Sequence, residues 1–347
     1  MAKVKDILMT VFAKLALGTG IKLDNYPKIR VFLEKDEYDR LAGEVHVLST
    51  YVFARNLCFA IVEENGLYYY ITFGLEKELT SKLLKPVENI IELTLAAIEK
   101  SEVERLPSVS EALLLEKVFI NNETEDVQWD SIEDFFPILQ TYQILDNVGA
   151  TNEEHSAYLK RLTLFGMCNH PEQLILGFED ATLQKYFEVL DSGDSNIPID
   201  NLLHSLGSNY WKFCFVDLYR CIERLFVLAW VHNYKTTMQS SLTPEQVHDA
   251  LKNRFHVEKY EKENITHLFT LIDPATSALL RPASGGMNPE NYIYDLRNKI
   301  VHYQINEAEI DGINAGKWNV IVRFLLSSLL ELYPKFSGYI AALPNEC

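Results

Sequence analysis

A chain of 347 residues, 48% hydrophobic and 23% charged, is long enough for two domains and has the composition of a folded protein rather than of a long disordered segment. Its net charge of −17 argues against a nonspecific nucleic-acid coat, which needs clustered Lys and Arg. No apolar run reaches membrane-spanning length, so no membrane role is expected.

The charge is unevenly placed. Residues 205–347 carry 14 basic and 15 acidic residues, whereas residues 1–204 carry 18 and 34. An acidic N-terminal part repels nucleic acid and suits a basic protein partner, while a near-neutral C-terminal part can hold a local cationic site. The five cysteines, Cys58, Cys168, Cys214, Cys221 and Cys347, are odd in number and lack metal-ligand spacing, which points to a reducing, cytoplasmic setting. Cys214 and Cys221 read as small buried apolar side chains on one predicted helix.

In chain order, Met1 to Leu17 spaces Val4, Ile7, Leu8, Val11, Phe12 and Leu15 as an amphipathic helix, with Lys14 interrupting any signal-peptide core. Lys28 to Leu33 reads as a short strand. The runs Leu57 to Val62 and Leu67 to Phe73 meet through Asn65-Gly66, a strong hairpin signal because both residues tolerate the positive φ of a tight turn. Tyr68, Tyr69 and Tyr70 offer faces for base stacking, or the aromatic packing of a half-buried sheet. A helix is predicted from Pro86 to Glu102, opened by the proline. Further helices are predicted over Ser108 to Val118, Ser131 to Leu145, Asn152 to Phe165 and Ala181 to Leu190. The polar run Asp191 to Pro198 is the best linker, and the domain boundary is placed there, near residue 200.

The remainder reads as helix. Asn209 to Tyr234 is one long apolar segment, interrupted by Asp217, Arg220, Glu223 and Arg224. Thr243-Pro244-Glu245-Gln246 opens a helix running to Phe255, and another covers Glu261 to Ile272. Asp273 to Met287 reads as a loop. Asn288-Pro289 then opens a helix to Gln304, whose apolar residues Ile293, Leu296 and Ile300 form one stripe, and a last helix covers Ala315 to Tyr333. The expected fold class is α+β overall. A mixed α/β regulatory or sensing domain with a β-hairpin covers residues 1–200, and an all-α up-and-down bundle covers residues 201–347.

The chemistry concentrates in the helix after Pro289. Asn298 and His302, four residues apart, lie about 40° from each other around it, and Arg297 reaches a phosphate held over that face with a fork that matches paired oxygens. An Arg followed by a His at such spacing is common: about one match is expected by chance from 11 arginines and 9 histidines, and Arg40 with His46 is a second instance. Only the pattern at Arg297 carries an Asn at its second position, behind a capped helix start in a helical domain. Glu223 is the other notable group, a carboxylate among Val216, Tyr219, Phe226, Val227 and Trp230. Such a group needs a partner, either Arg220 on its own helix or Arg297 or His302.

Arg297-Asn298-Lys299-Ile300-Val301-His302 resembles the Arg, four to six residues, His signature of the HEPN superfamily, frequently written Arg-Asn followed by three residues and His. Tyr219-Arg220-Cys221-Ile222-Glu223 resembles the first helix of that fold. The resemblance covers the C-terminal portion only. It implies a HEPN-like bundle and metal-independent endoribonuclease activity, with Arg297, Asn298 and His302 catalytic and Glu223 and Tyr303 supporting them. It further implies an RNA substrate, a homodimer with two motifs paired in one composite site and, by analogy with the family, a role as a toxin or antiviral defence effector. The alternative is a non-catalytic HEPN dimerisation module attached to a protein-binding N-terminal domain. No cofactor is expected: histidine and cysteine spacing supplies no metal cluster, and Ser284-Gly285-Gly286 lacks the Lys-Ser/Thr of a phosphate loop.

Overall fold

An antiparallel sheet is built around the turn at Asn65-Gly66, where φ values of 53° and 78° supply the left-handed conformation that a two-residue hairpin requires. Its strands are β1 (Val45–Ala54), β2 (Leu57–Glu64), β3 (Leu67–Phe73), β4 (Leu84–Val87) and β5 (Leu139–Ile144), in the order β1-β2-β3-β5-β4. The register sets Ile61 opposite Tyr70, and Tyr70 opposite Tyr142. The computed structural model describes residues 2–25, 31–120, 127–239, 241–255, 261–301, 310 and 312–343. The fold is α+β, and the chain divides into two compact units, Met1–Gly166 and Met167–Cys347.

In the first unit, α1 (Ala2–Ala16), α2 (Lys35–Gly43) and α3 (Ile91–Lys100) supply Val11, Phe12, Leu41, Leu93 and Ala97 to a core shared with Cys58, Ala60, Val62, Tyr69, Ile71 and Phe73 of the sheet. Phe59 and Tyr70 stack 6.0 Å apart on the other face, and both are fully buried. β2 and β3 are thus covered on both faces, which is why they read as near-continuous apolar runs. Tyr69 and Tyr70 are sheet core, not stacking surfaces.

Several elements differ from the sequence expectation, each for a local reason. The expected strand at Lys28 to Leu33 lies partly outside the described residues; within them, Val31 makes only an isolated bridge to Val127. Pro86 falls in β4 rather than opening a helix, and α3 starts at Ile91; a four-residue strand at the end of the sheet order tolerates a proline. The helix expected from Ser108 begins as α4 (Glu111–Leu114), with Ser110 Oγ accepting from Leu113 N at 3.2 Å, and widens into a π-helical stretch over Leu115–Ile120. Ser131 to Leu145 is not one helix: a single turn, α5 (Asp130–Glu133), is followed by Pro137 and then β5. α6 (Asn152–Asn169) follows as expected.

The second unit is helical throughout its described residues. α7 (Asp180–Asp191) and α8 (Ile199–Leu206) flank the polar run at residues 191–198, so that run lies inside this unit rather than at its edge. Asn319 holds the segment that opens α7, accepting from Glu179 N at 2.8 Å and donating to Gly177 O at 3.0 Å, and Tyr186 Oη of α7 meets Ser205 Oγ of α8 at 2.7 Å. The long segment from Asn209 breaks at Arg224-Leu225 into α9 (Trp211–Glu223) and α10 (Phe226–Met238). α11 (Pro244–Phe255) and α12 (Glu261–Phe269) follow, and the expected loop contains two short helices, α13 (Pro274–Leu279) and α14 (Arg281–Ser284). After α15 (Pro289–Val301), α16 (Ala315–Ala342) continues past Pro334, because Phe336 and Ile340 extend its buried stripe and offset the roughly 3 kcal/mol a mid-helix proline costs. Tyr333 Oη donates to Cys221 O at 2.9 Å, tying α16 to α9. Among the described residues no helix is long and apolar enough to cross a membrane.

Candidate active site

α15 begins where Asn288 and Pro289 place it, with Tyr292 N donating to Asn288 O at 3.0 Å. Ile293 and Leu296 are buried, Ile300 is half-buried, and this stripe seats the helix against its neighbours. α15 packs on both α12 and α9, which brings Arg297 to the start of one and the end of the other.

Arg297 Nε meets Glu261 Oε1 at 2.9 Å, with the two side chains 18% and 25% exposed. The same oxygen accepts from Tyr219 Oη of α9 at 2.7 Å. Glu261 is therefore the hinge pin of three helices, receiving a cation from one and a hydroxyl from another. Arg297 Nη1 also donates to Asn298 Oδ1 at 3.2 Å, which fixes the plane of the guanidinium from its own helix. Lys262, beside Glu261, lies over the Tyr294 ring at 5.9 Å and adds a second link between α12 and α15.

The electrostatics follow from that crowding. Burial pushes the Tyr219 hydroxyl well above its ordinary range, helped by its bond to Glu261 and by the Glu223 charge, with Arg297 opposing. Glu223 keeps an exposed surface, yet the atoms packed around its carboxyl raise its pKa; Glu261 adds to the shift, and Arg297 and Arg220 oppose it. Arg220 turns instead toward Asp217 at 3.4 Å. Glu223 thus shares the field of Arg297, and the site holds two carboxylates, one guanidinium and one phenol.

The structure brings together Arg297, Asn298 and Glu223 of the residues expected from sequence. His302 and Tyr303 lie outside the described residues. Glu261 and the role of Tyr219 were missed: Glu261 reads only as an acidic residue in the first turn of a helix, a common helix-end preference with no link to Arg297. A separate cavity of about 250 Å³ is lined by Tyr292, Asp295, Leu296 and Lys299 of α15 with Ser284 and Met287. Of these, Tyr292, Asp295 and Lys299 project from the opposite side of the helix to Arg297, so that cavity is not this site. Among the described residues no group of three or more His, Cys, Asp or Glu could hold a metal ion. Compared with family models, with curated proteins and with solved structures, the chain has no match.

Proposed function

We propose that the second unit is a HEPN-type endoribonuclease that cleaves RNA without a metal, in a homodimer whose two motifs form one composite site, working in the cytoplasm. The observation that carries this is the pre-set guanidinium: Arg297 is held by Glu261 at 2.9 Å and by Asn298 at 3.2 Å, on the helix whose sequence continues into His302. In the proposed reaction a ribose 2′-hydroxyl attacks the adjacent phosphorus and the 5′ oxygen departs, leaving a 2′,3′-cyclic phosphate and a 5′-hydroxyl. His302 takes or delivers a proton because an imidazole titrates near neutral pH. Arg297 stabilises charge on the pentacoordinate phosphorus through its N–H donors, Asn298 orients the phosphate or the imidazole, and Tyr303 supports them. One imidazole is few for both an acid and a base. Glu223, with its raised pKa, is a second group able to hold a proton closer to neutrality. A role as toxin or antiviral effector follows by analogy with the family alone.

The test is cleavage of single-stranded RNA by purified variants. Arg297→Ala and His302→Ala are expected to lower the rate by about 10²-fold or more, with circular dichroism and oligomeric state unchanged. His46→Ala, in the second Arg-His pair, is expected to cleave at the wild-type rate. Wild-type cleavage by both Arg297→Ala and His302→Ala removes the proposal.

One observation favours a second reading, a non-catalytic dimerisation module with a protein-binding N-terminal unit. The Arg297–Glu261 pair also works as a pin between α12 and α15. In that case His302→Ala changes no RNA chemistry, Arg297→Ala lowers the melting temperature, and a basic peptide binds the full-length chain.

A further inference from the structure

α9 presents an aromatic pair that the core does not use. Tyr210, immediately before the helix, and Phe213, in its first turn, are 61% and 52% exposed, and their rings meet edge to face with centroids 5.9 Å apart. Between them Lys212 holds its ammonium 5.9 Å from the Tyr210 ring and 5.5 Å from the Phe213 ring. The turn that carries them is rigid. Trp211 points inward, 5.0 Å from Phe178 and stacked 6.4 Å from Trp318, and Phe213 N donates to Tyr210 O at 3.0 Å. Exposed rings of this size give up a large burial gain, and here they do so side by side on a fixed platform with a cation between them.

The platform has a direction. Phe213, Asp217 and Arg220, with Arg224 just past the helix end, follow one another at helical spacings of three and four; Phe213 and Arg220 are exposed, the Arg220 side chain by 61%, while Asp217 is largely covered. Arg220 on this line is close enough for its charge to act on Glu223, which shares the field of Arg297. At 1.5 Å rise per residue, Phe213 and Glu223 are about 15 Å apart along the axis, a span of a few nucleotides. Asp217 does not reverse the sign of the ridge: Arg220 pairs with it at 3.4 Å, and its side chain is only 14% exposed.

We infer that the first turn of α9 is a base-stacking subsite for single-stranded RNA, with Tyr210 and Phe213 receiving unpaired bases and Lys212 and Arg220 receiving the phosphates that lead to Arg297. This rests on the ribonuclease reading of the same unit. It makes the substrate an unpaired strand rather than a duplex, because bases in a helix expose no face to the rings. It also makes recognition tolerant of sequence, since every base has a π-face.

The experiment is fluorescence anisotropy of the full-length protein with a labelled, uncleavable 2′-O-methyl octaribonucleotide, in parallel with cleavage of the unmodified strand. Tyr210→Ala/Phe213→Ala is expected to weaken binding by at least about 30-fold, from about 1 kcal/mol or more per stacked base, and to raise KM with kcat retained. Tyr210→Trp/Phe213→Trp is expected to restore binding, which a merely structural role would not predict. Both side chains are exposed, so melting temperature is expected to hold. If the double alanine variant binds the strand as wild type does while Arg297→Ala abolishes cleavage, the subsite is overturned and the ribonuclease reading stands. If the strand binds through these rings while Arg297→Ala and His302→Ala cleave normally, the subsite stands and the catalytic assignment falls. A double variant that loses oligomerisation instead of RNA binding identifies the rings as a protein interface and overturns the subsite, as does a wild-type protein that binds no RNA.

Discussion

Arg40 in the first unit and Arg297 in the second both precede a histidine at short spacing and both sit between two carboxylates, but their surroundings are inverted. Arg40 Nε reaches Glu92 at 2.5 Å and Glu64 at 3.3 Å; those acids are 1% and 8% exposed, while the Arg40 side chain is 39% exposed. Around Arg297 the cation is the deeper partner, 18% exposed, with Glu261 at 25% and Glu223 at the surface. The pattern also breaks differently. Arg40 belongs to α2, which ends at Gly43, and His46 lies on β1, so the two residues share no helix face. Arg297 and Asn298 lie together inside α15. Burial of the acids makes the first arginine a neutraliser whose loss strands charge in the core. The second arginine neutralises carboxylates that keep more solvent, Glu261 at 25% and Glu223 at the surface, so its loss strands charge that is less deeply buried.

The largest expected effect is therefore in the first unit. Arg40→Ala is expected to cost on the order of 3 kcal/mol, near the lower end for breaking a buried ion pair because Arg40 keeps some solvent. Arg297→Ala is expected to cost clearly less in the same urea titration, and equal losses would break the contrast. Next in size is Tyr219→Phe, which removes the hydroxyl at 2.7 Å from Glu261. A hydrogen bond to a charged group contributes about 1.5 kcal/mol, so the variant is expected to lose about that much stability in the same urea titration and, under the proposed ribonuclease reading, to cleave more slowly as Glu261 loses one of its two anchors. An unchanged rate would mean that Glu261 does not position Arg297.

The smallest effect is the pH dependence. Glu64 has a raised pKa, first from burial and then from the Glu92 charge, with Arg40 opposing. Glu223 is also raised, first by burial and then by Glu261. A carboxyl whose folded pKa lies above its unfolded value of about 4.5 binds more protons in the folded state. Its stabilising contribution is complete below that value and is lost as pH rises through the folded pKa. Glu64→Gln and Glu223→Gln are each expected to raise the melting temperature at pH 8 relative to wild type and to flatten its fall from pH 5. An unchanged pH dependence in either variant would show that the carboxyl it replaces does not carry the fall.

Local signals made part of this legible in the sequence. The Asn65-Gly66 turn, the start of α15 and its apolar stripe each depend on neighbours within a few residues, and each stands where the sequence places it. β5 was hidden because Phe135, Phe136 and Leu139 are spaced as a helix would space them. What makes Leu139–Ile144 a strand is pairing with β3 and β4, which are far away in sequence. In the candidate site the Arg-Asn-x3-His spacing was visible, while Glu261 was not, because only the packing of α12 against α15 gives its carboxylate a cation.

The two ends of the sheet order have a consequence for how copies of this chain meet. β4 is four residues long and carries Lys85 and Pro86, and β1 has register irregularities between Val47 and Ser49 and between Val52 and Ala54. A short strand missing a donor, and a strand kinked twice, are both poor templates for a newcomer's backbone. The two ends of the sheet order therefore resist strand-by-strand fibre growth at high concentration, and in the homodimer proposed above the contact would be made by side chains of the molecular surface, where association can saturate at a defined number of copies.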